Sequence, residues 1–248
     1  DGANGIGGFF IDCKRLKTFS APNLAAIPAR MFSGCHVLNS LEMDNAQTIG
    51  SNAFSDCNDL TTLILPSVTS LANSLFSGNG ILIHIEFDSV NYIGKNCFQS
   101  CSNLETVSFL SCVTAEEYAF DDCRKLESVN MLNLSTIGGR AFSYTQLREV
   151  EMNSLKSAGT PHYNSNYRGS NFLGCTSLTS VTMKTMSYVQ REMFYDCNML
   201  SFLDMPYLIT INYQSFYGCN TLENLTLPRL NTIGESAFQG VPGLIEVN

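Results

Sequence analysis

Carboxylates, three histidines and ten cysteines are the side chains in this sequence whose chemistry suits catalysis or metal binding. Their spacing decides between those uses. Counted from a recurrent phenylalanine, the position about ten residues on reads Ser20, Glu42, Ile64, Glu86, Ser108, Asn130, Glu151, Thr182, Asp204, Thr226 and Asn248. Two residues further stand Asp44 and Asp88, and His84 falls on the same side. Carboxylate pairs perform glycoside hydrolysis, and clustered oxygens hold calcium. The simpler reading is a solvated, acidic strand face that suits a basic or polar partner. His36 follows a cysteine in a turn and His162 lies in an irregular segment, so the three histidines occupy different phases of the repeat. No G-x-S-x-G, H-E-x-x-H or phosphate-cradling loop accompanies them. The chain is therefore read as a non-enzyme, with no catalytic residues, metal or cofactor.

The cysteines follow the same clock. Eight stand three residues after the recurrent Phe: Cys13, Cys35, Cys57, Cys101, Cys123, Cys175, Cys197 and Cys219. Cys97 fills a slot that Ala53, Ala119, Ala141 and Ala237 hold elsewhere, and Cys112 one held by Val68, Val90 and Leu134. Asn79 and Val241 replace the main-column cysteine. A disulfide or zinc framework does not tolerate such replacement, so the column predicts buried, reduced thiols touching turn backbone.

The elements that position these side chains come from one repeat. Phe10, Phe32, Phe54, Phe76, Phe98, Phe120 and Phe142 are 22 residues apart, as are Phe172, Phe194, Phe216 and Phe238. Leucine recurs six residues after the Phe, and further apolar columns follow at nine, eleven, fourteen and seventeen. The stretch from that leucine alternates apolar and polar, predicting a short strand with one buried face. Ile49, Ala53, Phe54 and Cys57 are spaced like one stripe of a helical or 3₁₀ turn, with Gly50, Gly94, Gly138 and Gly234 at the bend into it. No unit of this size buries its own apolar side, so the units must stack. The pattern predicts an α/β repeat solenoid: a curved, right-handed superhelix with short parallel strands on the concave face and short helical or 3₁₀ turns on the convex face. It spans 1–248 as a single domain of about eleven 22-residue coils.

The consensus A-F-x-x-C-x-x-L-x-x-[VL]-x-[LM]-P-x-[LV]-x-x-I-G, seen in Ala53-Phe54 through Leu65-Pro66 and in Ala237-Phe238, resembles the BspA-like leucine-rich repeats. That resemblance implies a bacterial, secreted or cell-surface adhesion module. The partner it implies is a protein or glycan ligand, of the host extracellular matrix or of another microbe.

One step of the repeat is irregular. Between Phe142 and Phe172 one residue is lost, Leu147 following Phe142 by five, and nine are gained within 160–171. This polar insert predicts a protruding loop in which His162, Tyr163, Tyr167 and Arg168 are candidate contacts, Tyr and Arg being enriched at binding hot spots. Together with Glu42, Asp44, His84, Glu86, Asp88, Glu151 and Asp204 they make up the candidate ligand-binding set.

Charge narrows the partners. A net charge of −8 opposes nucleic-acid binding and docking on an anionic membrane. No stretch of 18 apolar residues occurs, and the sequence shows no basic, apolar leader. The array opens almost on its first Phe and stops mid-unit at Val247-Asn248, which leads to the expectation that it continues in a larger surface protein.

Overall fold

The computed structural model describes residues 8–61, 63, 65–159 and 169–248. The chain coils into a solenoid of stacked parallel strands. Along the described residues a coil enters a face strand such as Thr18–Ser20, Ser40–Glu42 or His84–Glu86, then turns into a two-residue flank strand such as Thr48–Ile49 or Tyr92–Ile93. All strand pairs are parallel and keep the register of the repeat, for instance Ile85↔Val107 and Ile93↔Ala115. The middle residue of each face strand points inward and its two neighbours outward, as a period of two requires. The flank strands form a second ladder that the sequence pattern does not announce, because two residues are too few to show a period.

The convex segment is not helical. Among the described residues no α or 3₁₀ helix occurs, which corrects the expected helical turns and the α/β class. The backbone explains why. Residues two before and two after the repeat Phe have positive φ, such as Asn52 at 59° and Asp56 at 57°. A left-handed residue every fourth position interrupts any right-handed helix. The amides of Asn52, Phe54 and Asp56 instead point along the solenoid and donate to Asn73, Leu75 and Ser77 of the next coil. Between them, Ser55 and Cys57 close local turns onto Asn52 and Phe54. The apolar spacing that imitated a helical stripe belongs to a third ladder. Gly50 has a different role from the expected bend: a Cβ there would lie 2.3 Å from the Ala29 backbone nitrogen, so close approach of the preceding coil requires glycine.

The core is a column of rings. All ten consecutive pairs from Phe10 to Phe238 stack with centroids 5.0–5.8 Å apart and planes within 16°. The irregular step is no exception, Phe142 and Phe172 being 5.6 Å apart. Gly169, Ser170 and Asn171, expected in the protruding loop, lie in the stack instead. Ser170 and Asn171 are buried, and Gly169 and Asn171 accept the Arg140 and Phe142 amides. Residues 160–168 lie outside the described residues.

Beside the rings runs the thiol column. All ten cysteines are free, and nine are buried. From Cys35 onward, each S–H of the main column donates to the carbonyl of the preceding coil's Phe, as in Cys57 to Phe32 at 3.2 Å and Cys123 to Phe98 at 3.0 Å. Burial pushes the Cys57, Cys101 and Cys219 thiols up to about 12, from an ordinary 9.0. An unfolded chain ionises these thiols near 9.0 while the folded chain keeps them protonated. Their contribution is therefore complete below that pH and is lost as pH rises toward 12. Urea midpoints should fall from pH 8 to 10.5, and the slope should be shallower in a Cys57→Ala/Cys219→Ala variant; equal slopes would show that the thiols do not control the loss. Asn79 takes a cysteine's place with neither side-chain polar atom bonded, although it is fully buried. Asn79→Cys should gain about 1–3 kcal/mol in reducing urea titrations by removing an unsatisfied amide; an unchanged midpoint would mean that the amide is satisfied.

Candidate functional site

The outward positions of the face strands stand in two parallel columns while the residue between them is buried or half-buried. Glu42 accepts from Ser20 Oγ at 2.5 Å, and Asp44 is exposed just past the strand. His84 Nδ1 lies 2.5 Å from Thr106 Oγ1, with its Nε2 3.7 Å from Glu86 Oε2. Both partners of that pair are more than half exposed, so it adds little stability. Glu151 accepts from Asn153 Nδ2 at 2.8 Å, and half-buried Asp204 is 3.8 Å from Lys184 Nζ.

The candidates are not gathered into one cleft. His84, Glu86 and Asp88 sit together, Glu42 and Asp44 share another coil, and Glu151 and Asp204 stand apart. Register puts Ser108 beside Glu86, and Thr182 between Glu151 and Asp204, so no two carboxylates of this column are described as register neighbours. Among the described residues, no three His, Cys, Asp or Glu side chains group as a metal site. His162, Tyr163, Tyr167 and Arg168 lie outside the described residues.

What concentrates the site is a feature of the backbone. Among the described residues the face strands pair as 18–20 with 40–42, 84–86 through 128–130, 149–151 through 202–204, and 224–225 with 246–247, which leaves a middle division between 128–130 and 149–151 and a further one between 202–204 and 224–225. A depression lies beside 84–86 and at each of these two divisions. One of about 300 Å³ is lined by Leu65, Pro66, Glu86 and Asp88. A second, of about 540 Å³, is lined by Glu127, Ser128, Arg148, Glu149 and Glu151. The third, of about 330 Å³, is lined by Phe202, Asp204, Pro206, Asn224, Thr226 and Pro228. The middle division falls where the coil is one residue short, and there Arg148 Nη2 bridges back to Glu127 at 3.0 Å. Flank strands and rings continue across it, Thr136 pairing with Ser157 and Phe120 stacking on Phe142 at 5.2 Å. Four of the six candidate glutamates and aspartates, Glu86, Asp88, Glu151 and Asp204, thus border openings.

Sequence reasoning missed Phe202, Asn224 and Glu149. They occupy the first outward column, from which only His84 was drawn. The signal was present: in a strand the residue two before an outward position also points outward. Leu147, one residue early, was the trace of the middle division.

The divisions have a backbone consequence. Phe87, Phe109, Met152 and Met183 donate their amides to the next coil, at Ser108, Asn130, Thr182 and Asp204. The equivalent amides of Met131 and Met205 have no such partner among the described residues. By hydrogen exchange, Met131 and Met205 should lose protection about tenfold or more relative to Phe109 and Met183. Equal protection would mean that the face sheet is continuous in solution.

Among solved structures, a leucine-rich repeat protein from Bacteroides ovatus shares the fold, with TM-score 0.61 and 20% identity over 97% of this chain and 80% of its own. A leucine rich repeat protein from T. pallidum shows TM-score 0.52 and 26% identity over 66% of this chain and 76% of its own. No curated protein matches the sequence. No helix among the described residues is long and apolar enough to cross a membrane. Six copies of the BspA type leucine rich repeat region match residues 7–115, 47–168 and 152–248, together nearly the whole chain. With its ring column, thiol column and 22-residue coil, this chain belongs to the BspA-type leucine-rich-repeat family.

Proposed function

We propose that the chain is a non-catalytic binding module that engages a protein or glycan ligand at a cell surface, through the outward columns of the face strands and the 160–171 insert. The observation that carries this reading is the division of labour within each face strand. The inward residue supports the stack, and the outward residues, Glu42, His84, Glu86, Glu151 and Asp204 among them, are released from it. A surface whose side chains the fold does not need is free to be specified by a ligand. The acidic members favour a basic or polar partner by steering and complementarity. Catalysis requires groups held within reach of one reacting atom. Here the carboxylates are spread along the solenoid, which supports the non-enzymatic reading. Placement at the cell surface rests on what the family resemblance implies.

The test is a binding screen of the purified chain against immobilised extracellular-matrix proteins and a glycan array. It runs beside a Glu42→Ala/Glu86→Ala/Asp88→Ala variant and a variant lacking residues 160–168, which spares the stacked residues 169–171. A ligand of this surface should lose about tenfold or more in affinity in one of the two. Absence of any ligand would favour a spacer that holds other domains away from the cell, and a ligand indifferent to both changes would place binding elsewhere.

A further inference from the structure

The division between 202–204 and 224–225 differs from the middle one in presenting an exposed aromatic ring. Phe202 is 56% exposed on the first outward column, next to Ser180 in register. Its depression is lined by buried Met205, by half-buried Leu203, Asp204 and Pro206, and by exposed Asn224, Thr226 and Pro228. At about 330 Å³ it has room for one leucine, methionine or phenylalanine side chain. The main chain around it is unsatisfied as well. Where Thr179 O accepts from Ser201 and Glu223 O accepts from Ile245, no described backbone bond joins Ser201 O to Glu223 N. The Met205 amide likewise has no backbone partner among the described residues. Backbone donors and acceptors left open beside an apolar hollow are best completed by another main chain carrying an apolar side chain. A sugar would need hydroxyl partners on all sides, and the Leu203 and Met205 side chains offer none.

Charge selects among such chains. Glu223 stands exposed beside the opening, Glu246 on the coil after it, and Glu149 and Glu151 two coils before 202–204. Of the nearby cations, Lys184 is 3.8 Å from Asp204, and Arg229 lies over the Tyr207 ring at 4.6 Å.

We propose that this opening docks an extended polypeptide segment of a partner protein, seating one apolar side chain against Phe202 with a lysine or arginine beside it, near Asp204. The proposal rests on the binding-module reading and names the partner class for one part of that surface.

The experiment selects a phage-displayed random dodecapeptide library on the intact chain and measures the enriched peptides by fluorescence anisotropy against wild type, Phe202→Ala and Asp204→Asn. Both side chains project outward, and unchanged circular dichroism verifies folding. The expected consensus is an apolar residue adjacent to Lys or Arg. Phe202→Ala should weaken these peptides by about tenfold or more. Asp204→Asn should weaken them several-fold, less so in about 0.5 M salt, where the pairing is screened. Amide shifts should centre on Met205 and Glu223. No enriched peptide, peptides that bind Phe202→Ala equally well, or a glycan that depends on Phe202 would each overturn the proposal. A matrix or glycan ligand lost in the Glu42/Glu86/Asp88 variant but indifferent to Phe202→Ala would remove this site and leave the wider reading standing. Silence in both screens would remove both.

Discussion

Everything in this molecule depends on each coil satisfying its backbone along the solenoid axis. Among the described residues no helix bonds its own amides, so the backbone is satisfied largely by reaching the next coil. Around the repeat phenylalanine this is done by every second residue, Asn52, Phe54 and Asp56 in one coil, with the residues between turned back on the coil itself. That alternation is possible only with two left-handed positions per coil. Once it is in place, the rings must superpose, and the thiol three residues later must meet the preceding Phe carbonyl. The cysteine column is thus a consequence of the ladder. A small, weakly polar side chain fits where a carbonyl lies buried about 3 Å away, and the surrounding apolar atoms keep it protonated.

The same constraint determines where irregularity is tolerated. The coil between Phe142 and Phe172 departs from 22 residues by one lost and nine gained, yet its rings remain 5.6 Å apart and Asn171 still accepts the Phe142 amide. The change is displaced to segments that the ring ladder does not use. The loss appears at the face strand, where 128–130 and 149–151 do not pair. The gain appears between the flank strand Ser157–Ala158 and Gly169. Face and insert are therefore the parts of the coil with freedom to vary, which is the physical basis for reading them as the parts that meet a ligand.

Much of this was legible before any coordinates. The period, the ring column, the burial of the thiols and the outward columns followed from apolar spacing alone, because stacking makes every coil repeat the same burial. The helical turn was misread because Ile49, Ala53, Phe54 and Cys57 have a spacing that serves a helix and a left-handed ladder equally well. What distinguishes them is chemistry at the flanking columns. Asn52, Asn96, Asp56 and Asp122, with Gly34, Gly78 and Gly218, are residue types that accept positive φ. Arg30, Tyr118 and Glu192 in the same columns blur that signal. The divisions of the face sheet were hidden for a different reason. Pairing is a relation between coils, and only the shortened coil at Leu147 leaves a trace of it in one-dimensional spacing.

A segmented face on a continuous spine has a mechanical implication for recognition. Ligand contacts on an unbroken sheet must work through side chains alone, since every main-chain group is already paired. At a division the face exposes main-chain donors and acceptors at no cost to the ring column, which carries the stack past it with centroids 5.2 Å apart at Phe120 and Phe142 and 5.4 Å apart at Phe194 and Phe216. Side chains and backbone can then be read together by one ligand, and each opening acts on its own because the panels between them stay paired. Affinity in such a surface grows by engaging more than one opening along the same chain, through effective concentration rather than through any single tight pocket. On the proposed binding reading, that would favour long, extended partners over compact ones.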